Sequence, residues 1–135
     1  MATVVVTNGV VTAGGNDISS DVNRAVWEYG AESLDETAFG DTTRIMLGGI
    51  KTWSITLEGH NDYAAAGPGA VFFTAVGTTM AITTKQSTAG TAVTNPLYSG
   101  TGLLTEYSPA QMVQGELQPF RAVLVNAGTL TQDVA

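Results

Sequence analysis

Lys51-Thr-Trp-Ser-Ile-Thr-Leu-Glu-Gly59 is the stretch of sequence that decides the fold. Its apolar positions are Trp53, Ile55 and Leu57, and polar side chains occupy the positions between and around them: Thr52, Ser54, Thr56 and Glu58. Successive side chains of a β-strand point to opposite faces. The alternation therefore predicts a strand with one buried face and one polar face.

A second strand is predicted upstream, at Val22 to Tyr29. One face of this strand would carry Ala25, Trp27 and Tyr29, and the other would carry Arg24, Val26 and Glu28. The aromatic residues of both strands lie on the apolar faces. We therefore expect them to pack in a core, in preference to stacking on sugars or bases.

The remaining pattern is also mainly β. Strands are predicted at residues 2–11 (broken by Asn8-Gly9, a pair typical of tight turns), 78–85, 97–107, 117–125 and, briefly, 128–131. Gly100 and Gly102 inside one of these strands indicate a bulge or a bend. A short helix is predicted from Ala70, with Phe72, Phe73 and Val76 on the core. This makes a mainly β fold, a β-sandwich or partly closed barrel with one short flanking α-helix.

Between the two strands described first, residues 30–49 show no alternation. The segment contains four acidic residues before its first basic residue, Arg44, and it also contains Leu34, Phe39 and the run Ile45-Met-Leu47. Loops of this length in a compact domain are usually functional or disordered. The sequence predicts a long inter-strand loop whose apolar side chains are covered by a partner.

Composition favours a protein that contacts other proteins. Only 13% of the 135 residues are charged, about half the usual share, and a neutral surface is easier to desolvate than a charged one. The 12 acidic and 5 basic residues give a net charge of -7. Nucleic acids and anionic membranes are bound mainly through Lys and Arg, so this balance argues against direct binding of either. We expect no signal peptide and no membrane span.

Candidate chemistry is sparse. The single histidine, His60, is not accompanied by a Gly-x-Ser-x-Gly nucleophile elbow, and the chain contains no cysteine. The acid pair Asp17/Asp21 and the acids of residues 32–41 do not have EF-hand spacing, and Asp17 and Asp21 fit a turn in which they bond the local backbone. We expect no catalytic residue, no metal site and no cofactor. A carboxylate-dependent hydrolase is the enzyme alternative.

Three segments, in order, resemble the major tail (tail tube) proteins of long-tailed bacteriophages. They are Asn16-Asp-Ile-Ser-Ser-Asp-Val22, Tyr29-Gly-Ala-Glu-Ser-Leu-Asp-Glu-Thr-Ala-Phe-Gly-Asp-Thr-Thr-Arg44 and Gly48-Gly-Ile-Lys-Thr-Trp-Ser-Ile-Thr-Leu-Glu58. The resemblance implies one tail-tube-like domain over residues 1–135, with an N-terminal arm at 1–12, a stacking loop at 30–49 and a C-terminal arm at 127–135. It implies a structural virion protein that forms stacked hexameric rings, a tail tube through which DNA passes.

The resemblance also assigns roles to residues. The residues that would face the lumen are Arg24, Glu28, Thr52, Ser54, Thr56 and Glu58. The residues of the loop that would contact the neighbouring ring are Glu32, Leu34, Asp35, Glu36, Phe39, Asp41 and Arg44. In that contact the acids would meet bases such as Lys85 or Arg121, or Arg44 would instead hold the acids of its own loop.

The implied partners are further copies of the chain, other tail proteins (tape measure, terminator and distal tail proteins) and DNA in transient, non-specific passage, with no membrane. The protein would be located in the virion after assembly in the cytoplasm of a bacterial host. The rival interpretation is a capsid decoration protein or another β-fold structural protein of a virion.

Overall fold

The structure, a computed structural model, describes residues 6–65, 67–110 and 112–134. Its strands are β1 (Val10–Ala13), β2 (Asn16–Asp17), β3 (Val22–Asp35), β4 (Met46–His60), β5 (Thr79–Lys85), β6 (Leu97–Ser108), β7 (Pro119–Asn126) and β8 (Thr131–Asp133). A 3-10 turn spans Ser19–Asp21, and the helix α1 spans Pro68–Phe73. The mainly β class with one short helix is confirmed.

The described strands form one antiparallel sheet. Their order is β2-β1-β5-β6-β7-β4-β3, and β8 pairs with β6 beyond the end of β7. The sheet is not closed into a barrel. Of the two expected architectures, the partly closed barrel describes this single curled sheet better than two separate sheets do.

The apolar face of this sheet carries the core. Trp53, Ile55 and Leu57 are buried, whereas the polar residues that alternate with them remain partly or fully exposed, as predicted. Two side chains from outside the sheet cover this face: Ile18, next to the 3-10 turn, and Phe72 of α1, both fully buried. Burying each such side chain stabilises the fold by roughly 1.5–3 kcal/mol.

The sheet curls so that β3, at one end, contacts β5, the third strand from the other end, across the core. Trp27 of β3 packs on Trp53, with the ring centroids 5.4 Å apart, and its indole N–H donates to the hydroxyl of Thr84 on β5 at 2.7 Å. A groove of roughly 650 Å³ remains along this seam, between residues 6–11 and the start of β3. Side-chain contacts therefore connect β3 to β5, although these two strands are not paired through their backbones.

In the turn that joins β2 to β3, Asp17 bonds the local backbone, as predicted. Its carboxylate accepts a 2.9 Å hydrogen bond from the backbone N–H of Ser19, and the Ser19 hydroxyl accepts one of 2.9 Å from the N–H of Val11. The hydrogen bonds from Ser19 lower the pKa of Asp17 below its ordinary value of 3.8. Asp17 therefore anchors the turn in its ionised form.

The prediction of a loop over residues 30–49 is wrong at both ends. β3 continues to Asp35 and β4 begins at Met46, and their register pairs Leu34 with Leu47. Only residues 36–45 are loop. The strands were missed because both faces are exposed there, so no alternation of apolar and polar residues marks them.

Three other expectations need correction. Tyr29 is 55% exposed and does not join the core. The helix begins at Pro68, and of its expected core residues only Phe72 is buried, because Phe73 and Val76 point outward. The irregularity in β6 lies between Leu104 and Glu106 and not at the glycines.

Gly100 and Gly102 instead make room for neighbouring side chains. A Cβ atom at Gly100 would lie 2.8 Å from the ring of Trp53, and one at Gly102 would lie 3.0 Å from Cβ of Leu124. Glycine allows this close approach because it has no side chain. The indole N–H of Trp53 then reaches the carbonyl of Gly128 at 2.8 Å.

The two predicted arms are described only in part. Residues 1–5 of the N-terminal arm lie outside the described residues, and the described remainder ends in β1. In the C-terminal arm the short strand is Thr131–Asp133, slightly later than predicted, and it pairs with Leu97–Ser99.

Candidate assembly surface

The far ends of β3 and β4 form a two-stranded ribbon that leaves the sheet. β4 pairs with β7 only from Ser54 onward, so over Met46–Trp53 its described partner is β3 alone. At roughly 3.3 Å per residue the ribbon is about 25 Å long. Apart from the buried Trp53, its large apolar side chains are at least half exposed: Tyr29, Leu34, Met46, Leu47 and Ile50. A lone two-stranded hairpin is marginally stable in water. Contact with a partner protein would therefore stabilise this ribbon.

The loop at the end of the ribbon, residues 36–45, is held by its own polar groups. Asp35 accepts a 2.9 Å hydrogen bond from the N–H of Thr37, and Asp41 accepts one of 2.8 Å from the N–H of Ala38. The hydroxyl of Thr37 accepts from the N–H of Ile45 at 2.9 Å. Arg44 forms an ion pair with Asp35. We call residues 36–45, fixed in this way, the tip.

Phe39 lies at the outermost point of the tip. Its side chain is fully exposed, and the next residue, Gly40, has φ of 94°, a left-handed conformation that favours glycine. A rigid loop that displays a bare aromatic ring loses little conformational entropy when the ring is buried by a partner. Phe39 has the character of a binding anchor.

The acidic residues predicted for the inter-ring contact divide into two groups. Asp35 and Asp41 are engaged within the tip, and the hydrogen bonds from Thr37, together with Arg44, lower the pKa of Asp35 below 3.8. In the described part of the chain, no ion pair or hydrogen bond involves the carboxylates of Glu32 and Glu36. Of the two alternatives for Arg44, the structure shows the one in which it holds an acid of its own loop.

The six residues predicted to face the lumen do lie on one face of the sheet. The register places Arg24 opposite Glu58 and Glu28 opposite Ser54, and residues directly opposite in antiparallel strands point to the same side. Thr52 and Thr56 share that side because they alternate with the core residues of β4.

This polar face also contains two charged residues that the sequence did not link to it, Arg121 and Glu106. Arg24 lies 3.2 Å from Glu58, Glu58 lies 3.8 Å from Arg121, and Arg121 lies 2.6 Å from Glu106. The four form a row across β3, β4, β7 and β6 in which plus and minus alternate. We call these residues the charge row. Arg121, suggested from sequence as a partner for a neighbour's acids, is already paired here.

The outer edge of β3 is open. Among the described strands, β3 is fourteen residues long and pairs only with β4. Unpaired N–H and C=O groups along such an edge form a template for another strand. The edge is long enough to extend the sheet into a second molecule.

Two of the residues considered for chemistry from sequence, Asp21 and His60, interact electrostatically in the structure. Asp21, Asp62 and His60 lie near each other, and desolvation and the charge of Asp62 raise the pKa of Asp21 while His60 opposes this. Across residues 6–65, 67–110 and 112–134, no three His, Cys, Asp or Glu side chains are grouped closely enough to hold a metal ion. The same residues include no helix with the length and apolar character needed to cross a bilayer.

Comparison with known proteins gives a likeness of fold. No protein-family model and no curated protein matches the chain. Among solved structures, a chain in the C6-symmetric tail of an empty gene transfer agent particle superposes with a TM-score of 0.65 and 19% identity, covering 82% of this chain and 81% of that one.

A chain of the virion of a native gene transfer agent particle gives a TM-score of 0.66 and 17% identity, covering 84% of this chain and 85% of that one. The likeness extends over most of both molecules. It shows that this chain has a fold used in such particles and agrees with the tail-protein resemblance drawn from the sequence.

Proposed function

We propose that the protein is a structural subunit of a phage-like tail, which forms hexameric rings that stack into a tube for the passage of DNA. The observation that carries the proposal is the exposed ribbon with its ordered tip. A fold that matches a chain in a C6-symmetric tail supports it. Within one ring, neighbouring subunits would be joined by strand pairing at the open edge of β3.

Lateral pairing would place the polar face of β3 and β4 on the inner wall of the ring. The charge row would then lie on that wall, with each arginine already paired to a glutamate. DNA is bound by releasing counterions to free Lys and Arg. A wall whose arginines are neutralised lets DNA pass without holding it, and Thr52, Ser54 and Thr56 add only neutral hydroxyls.

Stacking of rings is assigned to the ribbon and the tip. The core does not depend on the tip, because residues 36–45 contribute no buried side chain. Tape measure, terminator and distal tail proteins would meet the ends and the bore of the finished tube. We also place the protein in the virion, after assembly in the host cytoplasm.

The direct test is electron microscopy of the purified protein at high concentration. Hexameric rings or tubes are expected. A species that stays strictly monomeric, or that is trimeric as a capsid decoration protein could be, would refute the proposal.

A second experiment isolates the tip. Replacing residues 36–45 by Asn-Gly joins Asp35 to Met46, which already pair, through the two-residue turn that antiparallel strands favour. The thermal unfolding midpoint should change little, whereas tubes should be lost. Tubes of normal length from this variant would show that the tip has no role in stacking.

A further inference from the structure

A second exposed apolar surface lies at the opposite end of the strands from the tip. Tyr63, three residues after the end of β4, Pro109, directly after β6, and the outer face of α1 line an open groove of roughly 410 Å³. Its lining is almost wholly apolar: Tyr63, Gly69, Ala70, Phe73, Thr74, Tyr107 and Pro109. We call it the base pocket.

The base pocket has rigid walls. Phe72 anchors α1 in the core, 5.7 Å from Tyr107 and 5.9 Å from Phe120 between ring centroids. The hydroxyl of Tyr63 donates to the carbonyl of Pro109 at 2.9 Å, which joins the two sides. Phe73, in contrast, is 66% exposed and has no role in the core. A preformed pocket of this volume is large enough for a bulky apolar group.

The surroundings of the pocket are apolar as well. Met112, Val113 and Leu117, in the segment between β6 and β7, are 86%, 57% and 72% exposed. Extended exposed apolar patches in soluble proteins mark interaction sites. The base pocket and these neighbouring residues therefore form a second apolar surface suited to contact with another protein.

β4 connects the two surfaces. It runs from Met46 beside the tip to His60 beside the base pocket, and its fifteen residues span roughly 50 Å. Phe39 and the pocket therefore point away from each other in one copy and face each other between copies stacked head to tail. Such a heterologous contact, repeated along an axis, builds an open stack.

We infer that Phe39 of one copy inserts into the base pocket of a copy in the next ring. This inference rests on the proposed tube, and it names the surface that receives the tip. A buried aromatic side chain removes roughly 150–250 Å² from water. One such contact is modest, but the same contact made by every subunit of a ring is strengthened by multivalency.

The experiment uses the absence of cysteine from the chain. The double variant Ala38→Cys/Thr74→Cys, which keeps Phe39, is assembled under reducing conditions and then oxidised, and the covalent products are separated by size in denaturing gels. Both positions are exposed, and they are too far apart in one copy to bridge. A ladder of covalent multimers extending beyond six copies is expected.

Three controls make the result specific. Mixing the two single-cysteine proteins should give covalent dimers and nothing larger. The pair Ala38→Cys/Ala89→Cys, with an exposed partner at the tip end of the sheet, should give no ladder. Phe39→Ala should raise the protein concentration needed for half-maximal tube formation at least tenfold. Val93→Ala, at an exposed apolar residue outside the ribbon, the tip and the base pocket, should change it less than twofold.

The outcomes separate this inference from the function on which it rests. Tubes without a ladder would overturn the pocket assignment and leave the tube in place. A ladder that ends at six would show that the tip binds a neighbour within its own ring, which also overturns it. If the unaltered chain forms no rings or tubes, the proposed function itself fails.

Discussion

The indole N–H of Trp27 donates to the hydroxyl of Thr84 at 2.7 Å, although their strands lie far apart in the order of the sheet. This bond joins β3, at one end of the curled sheet, to β5, a strand with which β3 has no backbone pairing. The closure of the core along the seam therefore depends on side chains.

Removing that bond should destabilise the whole fold. We expect Thr84→Val to lower the free energy of unfolding by about 1–2 kcal/mol, because it leaves the Trp27 N–H without its acceptor in a largely buried place. Thr83→Val, on the opposite face of the same strand, is the matched control and should change it by less than about 0.5 kcal/mol. Urea titration measures both. Equal effects would show that Trp27 and Thr84 do not hold the seam.

Gly100→Ala should disturb Trp53. The added methyl would lie 2.8 Å from the indole ring, and we expect a loss of about 1–3 kcal/mol in unfolding free energy with a change in tryptophan fluorescence. Gly90→Ala serves as the control because a Cβ there meets open space. An unaltered spectrum and stability for Gly100→Ala would contradict the close approach.

Breaking the charge row should create affinity for DNA. Glu58→Gln leaves Arg24 and Arg121 without their shared partner, so we expect non-specific binding of double-stranded DNA that weakens as salt rises. Its effect on stability should stay below about 1 kcal/mol, because these ion pairs are partly exposed. Binding is measured by fluorescence anisotropy with subunits and with tubes. Glu116→Gln removes the same charge elsewhere, and equal binding by both variants would refute a special role for the row.

Acid should loosen the tip. The pKa of Asp35 is lowered below 3.8, so the stabilisation from its ionised form is complete above that pH and is lost as the pH falls through the lowered value. We expect amide exchange at Thr37 to speed up below about pH 4, relative to the intrinsic rate. Asp35→Asn should make the exchange of the Thr37 amide fast at neutral pH and should remove its dependence on the ionisation of residue 35. A tip equally protected at pH 3 and pH 6 would count against this account.

Alternation predicted the core of the fold well. Trp53, Ile55 and Leu57 are buried because a strand with one covered face must alternate, and the six polar residues assigned to one face do share it. The same reasoning could not find the outer parts of β3 and β4. Exposure on both faces removes the pattern there, and Gly48-Gly49 with nearby acids is typical of turns.

Other features depend on register, which no local pattern reveals. Glu106 and Arg121 meet only because β6 and β7 pair with an irregularity after Leu104. Glycine inside a strand is typical of a bend, yet Gly100 instead leaves space for the ring of Trp53 on another strand. The base pocket brings together Tyr63, α1 and Pro109, whose proximity follows from where three segments end.

The placement of the tip and the base pocket at opposite ends of β4 gives the subunit a direction. Copies joined through these two surfaces all point the same way. The resulting filament therefore has two unlike ends, one with exposed Phe39 side chains and the other with unfilled base pockets. In the proposed tube, an initiating complex would need to imitate only one of them, and a terminating protein only the other. Elongation and its arrest would then be controlled by different proteins that bind different surfaces.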